Sequence, residues 1–152
     1  MLIKLISHND KIPITQSNLT RFHSRAAPAI SLLEYLERIV KYAGVENVVL
    51  ISILVYIDRI CEKNPSFMIS SLTVHRFIIT AITISSKSFC DIFLTNSTYG
   101  KIGGISTQEL NILELEFLFL ISWNLNSNFE TFQTYYVNLV KQVLEIFIIV
   151  AS

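Results

Sequence analysis

The chain has 152 residues, and 12 Lys+Arg against 12 Asp+Glu leave no formal net charge. Hydrophobic residues reach 51% and charged residues only 16%, which excludes disorder, and without a basic excess nucleic acid is not an expected partner. The mean hydropathy of +0.50 raises the question of a membrane, yet the charge-free stretches 47–57, 77–86 and 117–129 all fall short of the roughly 18 apolar residues that a spanning helix needs.

Residues 1–19 have weak periodicity, Pro13 and several Ser, Thr and Asn, and read as an extension laid over the surface. A helix follows Pro28: Leu32, Leu33, Leu36, Ile39 and Val40 recur at spacings of three and four, with Glu34, Glu37, Arg38 and Lys41 opposite. Gly44 is placed to end it. Residues 45–62 are apolar on nearly every face and predict a buried helix, closed before Pro65. Ser70-Ser71 offers an N-cap for a third helix over 72–89, again apolar all round. A helix with no polar face belongs at the centre of a bundle. A polar loop with a single turn around Tyr99 and Lys101 comes next, then Gly103-Gly104. Ser106-Thr107-Gln108-Glu109 has the form of a capping box and opens a helix over 108–123. After Asn-Leu-Asn-Ser-Asn, a last helical pattern covers 131–150. The expected fold is all-α.

Marks of catalysis are missing from this pattern. Four glycines (44, 100, 103 and 104) cannot build a P-loop or a dinucleotide fingerprint. Cys61 and Cys90 are too few and too far apart for a zinc cluster or a disulfide framework. His75 and Cys90 would lie roughly 22 Å apart along one helix, and His75 with Cys61 reads more simply as a core histidine beside an inert thiol. Glu114 and Glu116 point to different faces of their helix. The expectation is a non-enzyme with no cofactor and no metal. The N-terminus has no secretory pattern, so a reducing intracellular location, nucleus or cytoplasm, is expected.

Several motifs are linked in order and spacing. Phe22-His23-Ser24-Arg25-Ala26-Ala27-Pro28 leads into the first helix, and Tyr56-Ile57-Asp58-Arg59 closes the second. Leu72-Thr73-Val74-His75-Arg76-Phe77 opens the third, and Ser86-Lys87-Ser88-Phe89-Cys90-Asp91 ends it. Thr95-Asn96, Tyr99-Gly100-Lys101-Ile102-Gly103-Gly104 and Glu109-Leu110-Asn111-Ile112-Leu113-Glu114 follow. Together they resemble a cyclin box, in particular that of the P-type (U-type) cyclins, whose best-known members are the fungal phosphate-pathway cyclins. The resemblance covers residues 22–136.

It implies a box of five helices around the third, over 20–125, preceded by the extension 1–19 and followed by a C-terminal helix, 126–152, packed on the box through Phe147, Ile148, Ile149 and Val150. It implies binding to a cyclin-dependent protein kinase, as a heterodimer that holds the kinase active, in cell-cycle or phosphate signalling. Lys87 and Glu114 match the polar centre of the family's kinase contact. Asp58 matches a buried structural anchor, with Arg25 as its proposed partner because Ala29 stands where many mitotic-type cyclins carry arginine. Ile84, Phe89, Phe93 and Phe117 lie near the same contact or in plain core. The first helix lacks the arginine-bearing recruitment motif of mitotic-type cyclins, and Cys90 stands where many P-type members have an acidic residue. The competing reading is a cyclin-fold interaction module with a non-kinase partner.

Overall fold

The computed structural model describes residues 1–151, apart from the Phe147 side chain, and among them every regular element is a helix. In chain order these are α1 (Leu2–Asn9), α2 (Leu32–Ala43), α3 (Asn47–Lys63), α4 (Val74–Phe89), α5 (Asn96–Gly103), α6 (Thr107–Leu120) and α7 (Phe129–Ala151). The third predicted helix, α4, is the centre: it packs on α2, α3, α5 and α6. Eleven of its 16 residues are buried, including Phe77, Ile78, Ile79 and Ile82. A stack of tilted and edge-on rings, Phe67, Phe22, Phe77, Phe117 and Tyr56, runs through the core.

A buried helix that carries hydroxyls must still satisfy them. In α4 the hydroxyls of Thr80, Thr83 and Ser85 donate back to Arg76, Ile79 and Ala81 carbonyls at 2.7, 2.8 and 2.6 Å. The facing helices therefore need supply no polar partner there. Gly44 caps the C-terminus of α2 at φ 60°, as expected, and its start, for which no cap was expected, carries a reciprocal capping box of Ser31 and Glu34.

Up to α6, four expectations about where helices lie and how they are capped need correction. The N-terminal extension contains a helix, α1, whose Leu2, Leu5 and Ile6 pack on the core. Asn9 ties it to the Ile69 carbonyl (2.8 Å), and Asp10 accepts from the Ser71 amide (2.8 Å). The N-cap of α4 is Thr73 rather than Ser70 or Ser71, because the Thr73 hydroxyl accepts from the Ser70 amide and folds a turn before the helix. The single turn around Tyr99 is an eight-residue helix, α5, capped by Thr95. At the start of α6, Ser106 accepts from the Glu109 amide, but the Glu109 carboxylate turns away to pair with Arg76, so the box forms by half.

The C-terminal helix α7 rests on α3, where Tyr135 bonds to Asp58, and its Phe132 meets Phe89 at the end of α4 edge-on at 5.3 Å. At about 1.5 Å per residue, its 23 residues outrun the 17 of α3. Ile149 and Val150 are therefore 74% and 80% exposed, not packed on the box; the Phe147 side chain lies outside the described residues. α7 is also long and apolar enough to cross a membrane by length and composition, which a search for uninterrupted apolar runs misses because Lys141 and Glu145 break it.

Candidate functional site

Lys87 sits in the last turn of α4, and Glu114 sits mid-way along α6, the helix packed against it. Their side chains meet: Lys87 Nζ donates to Glu114 Oε1 at 2.8 Å. The pair is asymmetric, with the lysine side chain 34% and the glutamate 16% exposed. The second carboxylate oxygen of Glu114 accepts from Asn96 Nδ2 at 2.5 Å, and the same amide reaches Asn111 Oδ1 at 2.7 Å. Three helices, α4, α5 and α6, thus converge on one carboxylate. Glu114 is held by an ammonium and an amide, while Lys87, with three donors, makes no second side-chain hydrogen bond among the described residues.

Beside this network the chain leaves α4 through a loop with Ile92 89% and Phe93 51% exposed. An open cleft of about 220 Å³ lies between that loop and the α2–α3 turn, lined by Gly44, Glu46, Ser86, Cys90 and Phe93 among others. Burial, and then Glu46, push the Cys90 thiol above its ordinary pKa, which keeps it protonated and poorly nucleophilic. Of the other apolar candidates, Ile84 and Phe117 are core, and Phe89 is half-covered by α7. The arrangement is a charged centre with apolar surroundings, suited to gripping exposed backbone or a helix end of another protein.

Asp58 and Arg25 do not form the expected anchor. Asp58 is exposed, and its carboxylate accepts from Tyr135 of α7 at 2.5 Å. Arg25 is exposed next to Ser24, which is bound to the Leu72 carbonyl at the approach to α4. The two ion pairs among the described residues, Lys87–Glu114 and Arg76–Glu109, include neither. Burial, with the bond to Asp58 next, pushes the Tyr135 hydroxyl up to about 12. His75 does not meet Cys61: its Nε2 faces the Ile30 carbonyl at 3.0 Å and its ring packs on Tyr35. Among the described residues no group of three His, Cys, Asp or Glu is placed to hold a metal.

Asn96, Asn111 and Arg76 lie within the motifs, yet nothing in the sequence pattern assigns them a role. Asn111 was within reach, since it precedes Glu114 by three and so shares its face. Arg76 binds Glu109 and also donates to the Arg21 carbonyl at 3.0 Å, tying the segment before α2 to α4.

The fold is a helical box wrapped on a buried central helix, with a paired charge at its surface. Residues 4–125 match the family model described as Cyclin, and the chain belongs to the cyclin family. It is 46% identical to the Nuc-1 negative regulatory protein preg of Neurospora crassa over 93% of this chain and 30% of that protein. It is 41% identical to the PHO85 cyclin PHO80 of Saccharomyces cerevisiae over 82% of this chain and 44% of that one. With Cyclin-U4-1 of Arabidopsis thaliana the identity is 36% over 94% and 72%. These similarities make it a P/U-type cyclin. The chain spans less than half the length of the two fungal relatives.

Proposed function

We propose that this chain is the regulatory subunit of a cyclin-dependent serine/threonine kinase, acting inside the cell in phosphate signalling or a related nutrient or cell-cycle pathway. The observation that carries the reading is the Lys87–Glu114 pair, held by Asn96 where α4, α5 and α6 converge. The names of two relatives, the PHO85 cyclin PHO80 and the PHO85 cyclin-like protein psl1, agree with it. In this role the chain does no chemistry of its own. It stabilises one position of the kinase helix whose glutamate pairs with the ATP-positioning lysine, and so biases a two-state element.

The test is kinase affinity for Lys87→Ala and Glu114→Ala, read beside thermal unfolding. Removing one partner of a desolvated charged contact costs roughly 2–5 kcal/mol. Binding is expected to weaken about thirty-fold or more. Unchanged affinity in both variants refutes the site, and phosphotransfer by the chain alone refutes the regulatory role.

A further inference from the structure

The helix α7 carries three stripes along its length. Phe132, Tyr135 and Leu139, spaced three and four apart, are half-covered and face the box. Phe132 meets Phe89, Tyr135 donates to Asp58, and Leu139 closes an apolar recess with Met1, Leu2 and Leu54. On a second face Thr134, Asn138, Lys141 and Glu145 advance by four, three and four, all exposed. The third stripe is Phe129, Gln133, Tyr136, Val140, Val143 and Val150, which advance by four, three, four, three and seven. That spacing keeps them on one line of the helix, nearly opposite the polar stripe. Its apolar members stand out of the box, from 39% exposed at Val140 to 80% at Val150.

Such a stripe is a coiled-coil seam: the apolar positions repeat every 3.5 residues over three heptads, with Phe129, Tyr136, Val143 and Val150 at d and Gln133 and Val140 at a. Lipid asks for no such period. A bilayer span of 129–151 would also hold Lys141 and Glu145 in hydrocarbon, where charges are costly. Beside the seam, Val137, Leu144 and Ile146 are exposed as well. With about 200 Å² for a full aromatic and about 100 Å² for a full aliphatic side chain, seam and flanks offer roughly 600 Å² per helix. Two copies would cover about 1,200 Å², which reaches the range of stable interfaces.

We propose that the exposed stripe of α7 pairs with the same stripe of a second copy of this chain, as a parallel two-stranded coiled coil. Gln133 sets the direction. In a parallel pair it meets the partner copy's equivalent amide, and each amide can donate to the other; a polar residue at a fixes register in this way. An antiparallel pair would set each amide against a ring or a valine at d and leave it unsatisfied. The face docked on the box lies about a quarter-turn from the seam, so each α7 keeps its own box while it pairs. The seam shares no residue with the Lys87–Glu114 network.

Sedimentation velocity on the full chain, across a concentration series, is the first test. The unaltered chain is expected to pass from monomer to dimer. Val140→Glu with Val143→Glu should raise the dissociation constant about tenfold or more. Thr134→Glu with Asn138→Glu, which adds the same charge on the polar stripe, should not. A monomer at every concentration, or equal losses in the two double variants, overturns the proposal. Uptake of a chain that stays monomeric by phosphatidylcholine–phosphatidylserine vesicles overturns it in favour of a membrane. Direction is read by mild oxidation of Gln133→Cys in a background of Cys61→Ser and Cys90→Ser. A disulfide-linked dimer supports the parallel pair; a yield no higher than that of Thr134→Cys in the same background refutes it. Should the seam variant fold poorly, hydrogen exchange on the unaltered chain decides the matter. Protection that rises with concentration over 129–150 supports the seam, and a rise confined elsewhere refutes it.

Discussion

Single atoms decide several properties of this box. At Gly103 a Cβ would lie 2.5 Å from Ile79 Cγ1, and Ile79 is wholly buried, so neither residue has room to give. The same glycine's carbonyl accepts the buried Tyr35 hydroxyl at 2.9 Å, fixing α5 against α2. Gly103→Ala should cost about 1–3 kcal/mol by overpacking, read from denaturant midpoints. Combining it with Ile79→Ala should cost less than the sum of the two, because one clash is shared. His75 makes a second residue-level case. Burial lowers its pKa, as it does for His23, so the folded protein binds fewer protons than the unfolded chain just below neutrality. That contribution to stability is complete above the unfolded histidine value of about 6.5 and is lost as pH falls through the lowered folded one. Melting temperature should therefore drop between pH 7 and pH 5, and His75→Gln should flatten part of that slope.

At the scale of elements, α4 shows what a central helix asks of its sequence. The hydroxyls of Thr80, Thr83, Ser85 and Ser88 bond to their own helix, so replacing one by an isosteric apolar group strands no partner. Thr83→Val should change stability by less than about 1 kcal/mol, whereas Thr83→Ala should cost more by leaving a void. The bundle around it is legible because the apolar runs of α3 and α4 are long and Gly44 marks the end of α2. α1 and α5 were harder to read. Each has eight residues, too few for periodicity to outweigh a polar composition, and each is held by tertiary contacts such as Asn9 to Ile69 and Tyr35 to Gly103. The meeting of Lys87 with Glu114 followed from the resemblance, but their shared partner Asn96 did not, because it arrives from a helix the sequence disguised. Asp58 misled for a related reason. Its partner Tyr135 is 77 positions away, on an element whose docking no local pattern encodes.

Over the whole molecule, burial is uneven. The core gathers around α4, while the second half of α7 presents Val143, Leu144 and Ile146, each more than half exposed. Ending the chain after Gln142 should leave the thermal midpoint of the box nearly unchanged, since exposed side chains contribute little to folding. It should also reduce self-association, because large exposed apolar surface promotes it. Differential scanning calorimetry with light scattering checks both. A fall of many degrees on truncation would show that the far half of α7 supports the box after all.

The junction between α6 and α7 has a mechanical meaning. Asn64 and Lys63 donate to the Leu120 and Ile121 carbonyls at 2.8 and 3.4 Å, Arg59 to Asn124 and Ser127, and Tyr56 to the Leu125 carbonyl at 3.2 Å. A pull on the C-terminus would first peel α7 away, breaking the Tyr135–Asp58 bond. It would then load this cluster in shear, with all its bonds sharing the force. The box thus carries a clasp: once α7 and its Phe132–Phe89 contact with the end of α4 have peeled away, tension on the C-terminus is taken up by α3. An optical trap should record an early soft extension for α7 and a later, sharper rupture for the box, the second weakened by Arg59→Ala.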